Sequence, residues 1–313
     1  MKHSLDQDRS FLKWHNRRGI AHVISRDYRW FKEQYLPAIE RLERAGMKKD
    51  RLLLGWCYYM IGDVHDFNQC PKAAIKAYRK SYEVYPNGEA LREMGNMYER
   101  MGYYKKAKSL LKKALQIDAK DELAIMYYND IDTSGTSLFS KNDQNWQARE
   151  LLAQDNPAGA LKLLDKKRSV QAMQIKACAY GILNDTEAAL EQWRRIAGGK
   201  EKIEVAYADW FFMTDAVWNH AKFWEKIAIC ARQNRFAYGI WYMFDSLYDT
   251  GVIFPAKQRR NSKADLMRCN ECNYLEAQYH IARIRRDVKL AGRLAKQYPK
   301  WKEIKALYRK LSS

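Results

Sequence analysis

Between Gly88 and Asp121 the chain reads GEALREMGNMYERMGYYKKAKSLLKKALQIDAKD, a 34-residue unit. Large apolar residues fall at Leu91, Met94, Tyr98, Leu111 and Leu115, and small ones at Gly95, Ala107 and Ala114. Spacings of three and four put such residues on one face of an α-helix. Two such faces with Gly102 between them describe a hairpin of helices. The small residues let the two backbones approach, and the large ones fill the space against the next pair. A chain patterned this way folds by stacking neighbours. Six Pro and fifteen Gly in 313 residues are few, which leaves room for long helices and argues against many-turned all-β folds. Strands are expected nowhere.

The preceding stretch repeats the theme with Leu54-Gly55, Tyr58, Gly62, Ala74, Tyr78 and a closing Tyr85-Pro86-Asn87. Val64 to Cys70 adds about seven residues to its turn, so a projecting loop is expected there. Pro71 suits the first turn of the helix that follows. Further on, Asn156 to Leu164 reads as the second helix of a short hairpin. Residues 170–203 carry Met173, Ala177, Tyr180, Ala189 and Trp193 in corresponding places. Residues 204–250 keep helical periodicity and hold Trp210, Phe211, Phe212, Trp218, Phe223, Trp224, Phe236, Trp241 and Phe244. Core packing accounts for their spacing; exposed platforms for base stacking are the alternative.

The places of Leu91, Met94-Gly95, Tyr98, Ala107, Leu111 and Ala114 resemble the signature of the tetratricopeptide repeat (TPR), with Ala119 standing where the usual Pro would end the second helix. The resemblance covers residues 48–121 most fully and 145–203 with fewer matching positions. It implies an all-α fold, a right-handed α-solenoid of helix-turn-helix hairpins. The expected organisation is an N-terminal helical cap at 1–47, TPR-like repeats at 48–131, a loop at 132–144, degenerate repeats at 145–250 and basic helices at 251–313.

Such stacks present the first helices of successive repeats along a concave groove, which implies an adaptor or scaffold that holds a protein or peptide. In the best repeat the groove positions are Glu89, Arg92, Asn96, Glu99 and Arg100. Arg92 and Asn96 resemble the first part of the carboxylate clamp with which TPR co-chaperones grip an acidic C-terminal tail by charge-assisted hydrogen bonds. The next helix has Tyr127 where that clamp has another Asn. In the first repeat the groove positions are Lys49, Leu52, Trp56 and Tyr59, where an apolar anchor could dock unless the N-terminal helix covers them.

The chain has a formal net charge of +19, placed unevenly. Residues 251–313 hold 16 basic and 5 acidic side chains, whereas residues 52–250 are nearly neutral. A basic end on a neutral body suggests docking to something acidic, and an acidic protein partner is expected; a merely solvated helix face is the alternative. Nucleic acid is the second reading, through the loop residues Lys257, Arg259, Arg260 and Lys263 and through Arg285, Lys289, Arg293 and Lys296. The last four fall at i, i+4, i+8 and i+11, on one face of a single helix unless a boundary near Asp287 breaks it.

Catalytic motifs are lacking: no phosphate loop, no GxSxG and no HExxH, with six scattered histidines. Cys269-Asn270-Glu271-Cys272 is half of a zinc site at most and reads as two packed thiols. No enzyme activity, metal or cofactor is expected. The N-terminal residues lack a signal-peptide core and the longest apolar stretches fall short of a bilayer span, so no membrane insertion is expected. Six sparse cysteines fit a reducing cytoplasm.

Overall fold

The computed structural model describes residues 4–19, 28–131, 139, 143–203, 212–236, 262–299 and 301–313, with backbone alone at 215 and 262–269. These residues are helical, and among them the single β-type pairing is an isolated bridge between Ile203 and Phe236. They form two compact units, Met1–Leu163 and Leu164–Ser313.

The first unit begins with α1 (Leu5–Arg17), started by a capping box in which Ser4 and Gln7 satisfy each other's backbone N–H groups. Tyr28–Trp30 then runs through a π-helical segment, Phe31–Tyr35, into α2 (Leu36–Ala45). Gly46, at φ +63°, ends that helix. Both helices pack on α3 (Arg51–Phe67). Arg9 clasps Asp50 at 2.7 Å, Arg41 clasps Asp8 at 2.7 Å, and the Tyr58 hydroxyl donates to Glu43 at 2.6 Å. Two helices thus pack on the start of the repeat array.

Next, α3 pairs with α4 (Pro71–Val84), and α5 (Gly88–Arg100) pairs with α6 (Tyr104–Ile117). Close approach at the small residues makes both hairpins. A Cβ added at Gly95 would lie 2.8 Å from Leu111 Cγ, and one at Gly62 would enter the Tyr78 ring. Ala107, Leu111 and Ala114 are fully buried, each Leu-sized side chain contributing about 1.5–3 kcal/mol. The expected loop at 64–70 does not form. Instead α3 continues to Phe67 and turns in three residues, because Val64 and Cys70 are buried and the Asn68 amide donates to the Val64 carbonyl at 2.6 Å.

A further helix, α7 (Glu122–Asp130), closes this array, capped by the Asp121 side chain, which accepts from Ala124 N–H at 3.0 Å. The hairpin of α8 (Gln144–Ala153) and α9 (Pro157–Leu163) stays in this unit. Its Glu150 carboxylate accepts from the Lys72 and Ala73 N–H groups at the start of α4, and the Tyr28 hydroxyl donates to the Leu152 carbonyl at 3.1 Å. The division between units accordingly falls after Leu163, beyond the 132–144 stretch where the sequence placed a loop.

In the second unit α10 (Val170–Ile182) and α11 (Thr186–Gly198) form a hairpin with Ala177, Ala189 and Trp193 fully buried. After α12 (Asp215–Trp218) come α13 (Ala221–Arg232) and α14 (Ser262–Arg285), which pack against each other. Phe212, Phe223, Trp224 and Phe236 are core residues and Trp218 packs against them. Trp210, Phe211, Trp241 and Phe244 lie outside the described residues. Asn270 bridges the Phe236 N–H and C=O, both at 2.9 Å, which satisfies an otherwise unpaired buried backbone. The chain ends with α15 (Val288–Gln297) and α16 (Lys302–Ser312).

Candidate functional site

One face of α3 carries Leu52, Trp56, Tyr59, Asp63 and Asp66 at spacings of four, three, four and three, a single stripe along the helix in which the first two are exposed and the other three half-buried. It is apolar at one end and acidic at the other. Leu52 and Trp56 are 49% and 46% exposed, so α1 and α2 do not cover them. Trp56 meets Tyr59 edge-on at 5.6 Å, and Tyr59 in turn lies 5.5 Å from the buried Tyr78. The anchor position is thus held by ring packing from behind.

The neighbouring face belongs to α5 and the start of α7. The Arg92 guanidinium contacts Glu93 at 2.8 Å and Asp121 at 2.7 Å, and its remaining nitrogen approaches the Tyr59 hydroxyl at 3.5 Å. Asn96 donates to Glu93 at 3.4 Å. Arg100 pairs with Asp66 and lies 5.1 Å over the Phe139 ring. Arg92, which the clamp resemblance recruited, and Arg100, a groove position, therefore already hold carboxylates of their own chain.

Carboxylates outnumber cations here. Burial, with Glu93 and Asp66 close by, pushes the Asp63 carboxyl up to about 7 even though the Tyr78 hydroxyl donates to it. Burial and Asp130 raise Glu99 in the same direction. Trp56, Tyr59, Arg92, Asn96, Glu99 and Arg100, expected from the sequence, lie together on α3 and α5. Asp63, Asp66, Glu93 and Asp121 join them unexpectedly. The first two continue the Trp56–Tyr59 period and were open to detection. Asp121 reaches Arg92 across 29 positions, which no local pattern encodes.

A separate recess of about 580 Å³ lies in the same unit between α4, α8 and Phe139, with Tyr103, Phe139, Trp146, Lys72 and Glu150 among its walls. Lys72 stands 5.4 Å over the Trp146 ring. Glu150 is 4% exposed, and burial lifts its carboxyl to about 7 against the pull of the two backbone N–H groups.

Of the basic residues, Lys257, Arg259 and Arg260 lie outside the described residues, as does the Lys263 side chain. The single-helix stripe is corrected. Arg285 ends α14 and pairs with Glu225 on α13, Arg286 turns at φ +55°, and Asp287 caps a new helix, so only Lys289, Arg293 and Lys296 share a face. The five cysteines Cys57, Cys70, Cys178, Cys230 and Cys272 are buried free thiols. Among the described residues, no cluster of three or more His, Cys, Asp or Glu side chains could hold a metal ion, and no helix is long and apolar enough to cross a membrane.

Consecutive helix pairs closed by small residues define an α-helical repeat architecture. Residues 57–87 and 88–121 each match the family model of the tetratricopeptide repeat. The chain carries two consecutive tetratricopeptide repeats over residues 57–121. No curated protein matches it.

Proposed function

We propose that the chain is a non-enzymatic adaptor that holds a peptide or protein segment against α3 and α5. The observation that supports this is the α3 stripe: Leu52 and Trp56 stay about half exposed while the rings behind them are packed. Exposed aromatic anchors held rigidly lose little entropy on binding, which makes them effective hot spots. The acidic end of the stripe and the prior commitment of Arg92 and Arg100 turn the partner chemistry around. The segment that fits is apolar where it meets Trp56 and carries Lys or Arg where it meets Asp63 and Glu99, whose raised carboxyls a cation draws back toward the charged form, instead of being acidic.

Selection from a displayed random-peptide library, followed by affinity measurement on the recovered peptides, tests this. Peptides with an apolar residue next to a basic one are expected, and L52S/W56A should weaken them at least tenfold. Recovered peptides that bind the double variant as tightly as the parent chain refute the reading.

A further inference from the structure

The hairpin of α15 and α16 buries most of its large apolar residues. Leu290, Ala291 and Leu294 on one helix, and Ile304 and Leu307 on the other, are buried, as is Trp301 between them. Outward it presents cations. Lys289, Arg293 and Lys296 recur at i, i+4 and i+7 on α15, and Lys302, Lys305 and Arg309 at i, i+3 and i+7 on α16, all of them exposed. Among the described residues none of the six is in an ion pair. In sequence α15 has no carboxylate and α16 has only Glu303. The surface is therefore strongly positive, with Glu303 and the capping Asp287 as the carboxylates nearest in sequence.

One aromatic ring lies within it. A Cβ added at Gly292 would stand 3.1 Å from Tyr308 Cε2 and 3.5 Å from Cζ, so the Tyr308 ring rests on α15 where that helix has no side chain. Lys289 and Lys296 are one turn to either side of Gly292, Arg293 is adjacent, and Lys305 is one turn before Tyr308 on its own helix. The ring is 40% exposed. Gly292 thus seats a partly open aromatic within a field of cations.

An anionic membrane surface would be met by an amphipathic face with several bulky apolar residues to insert, and apart from Val288 and Tyr308, each 40% exposed, those of this hairpin are buried or half-buried. A protein interface would be expected to have an apolar centre, which this face lacks. Spread positive charge with an interleaved aromatic is what single-stranded nucleic acid requires: cations for the phosphates, a ring for an unstacked base. We propose that the α15–α16 surface binds single-stranded nucleic acid without sequence preference, its phosphates on Lys289, Arg293, Lys296, Lys305 and Arg309 and a base on Tyr308. This surface lies in the second unit and the groove on α3 and α5 in the first.

Fluorescence anisotropy on the full chain tests it, using labelled 20-nucleotide RNA and DNA strands of mixed sequence at 50–300 mM NaCl. The competitors are the matching duplex, phosphatidylserine-containing vesicles and polyglutamate. Both strands should bind, with log K falling on log salt at a slope of about −3 to −4 for roughly five phosphates. K289E/R293E/K305E should lower affinity at least tenfold and flatten the slope. Y308L, which keeps an apolar group over Gly292, should lower affinity about tenfold and leave the slope unchanged. L52S/W56A should bind as the parent does. Absence of strand binding at 50 mM NaCl, undiminished binding by the triple variant or by Y308L, or equal affinity for duplex, vesicles or polyglutamate each overturns the proposal.

Discussion

The Arg92 guanidinium grips the Asp121 carboxylate at 2.7 Å with both side chains only 11% exposed, tying the second repeat to the helix that follows it. Asp121 does two jobs, since its other oxygen accepts from Ala124 N–H at the start of α7. D121A removes the cap and leaves Arg92 to Glu93 alone. A loss of about 1–2 kcal/mol is expected in urea unfolding followed by circular dichroism. D121N, which retains capping ability, should recover part of it.

Helix contact at Gly95 sets a second expectation. G95A places a methyl group 2.8 Å from Leu111 Cγ in a packed core, for a cost of about 1–3 kcal/mol. L111A alone opens a cavity at a fully buried site and costs about 2–5 kcal/mol. The double variant relieves the clash, so its destabilisation should be smaller than the two losses added. Strict additivity would mean the two residues do not share the contact.

Glu276, on α14, gives a pH signature. Its carboxyl is 1% exposed, one oxygen has no hydrogen-bond partner, and burial lifts it from an ordinary value of 4.5 to about 8. The folded chain therefore keeps a proton that the unfolded chain releases between these values. Its contribution to stability falls as pH rises through that window. His280, stacked 4.0 Å from Trp224, works the other way: burial pushes it down to about 3, so stability is lost as pH drops below 6.5. Thermal melts of E276Q and the parent should agree near pH 4.5, diverge as pH rises toward 8 and differ by a constant amount above it, with the variant more stable. Parallel curves across the range would contradict the assignment.

Glu150 links α8 to the start of α4 through two backbone hydrogen bonds. E150A leaves the Lys72 and Ala73 N–H groups without that partner, and about 1–3 kcal/mol should be lost. Hydrogen exchange should locate the change, with protection falling at the first turn of α4 and in α8 while α5 and α6 keep theirs.

Much of the first unit was readable because its signals are local. Gly95, Ala107, Leu111 and Ala114 announce a helix pair through spacing alone, and periodicity extended down α3 reaches Asp63 and Asp66. The basic stripe through Arg285 failed for a local reason too. Four cations at helical spacing say nothing about whether one helix spans them, and Arg286 adopts a left-handed turn in their midst. The hairpin at 64–70 misled in the opposite way, since residues counted as loop were helix held by Val64 and Cys70.

Small and large residues alternating at helical period were enough to determine that this chain makes hairpins of α-helix, because close approach of two backbones depends on side-chain volume at each position. Which charges remain free was decided only by folding. Arg92 is consumed by Asp121 and Arg100 by Asp66, whereas Lys289 and Arg293 stay unmatched, because ion pairing depends on distances across the packed structure that residue order does not record. The same holds for Tyr308, whose seat on Gly292 exists only once α16 has folded back along α15.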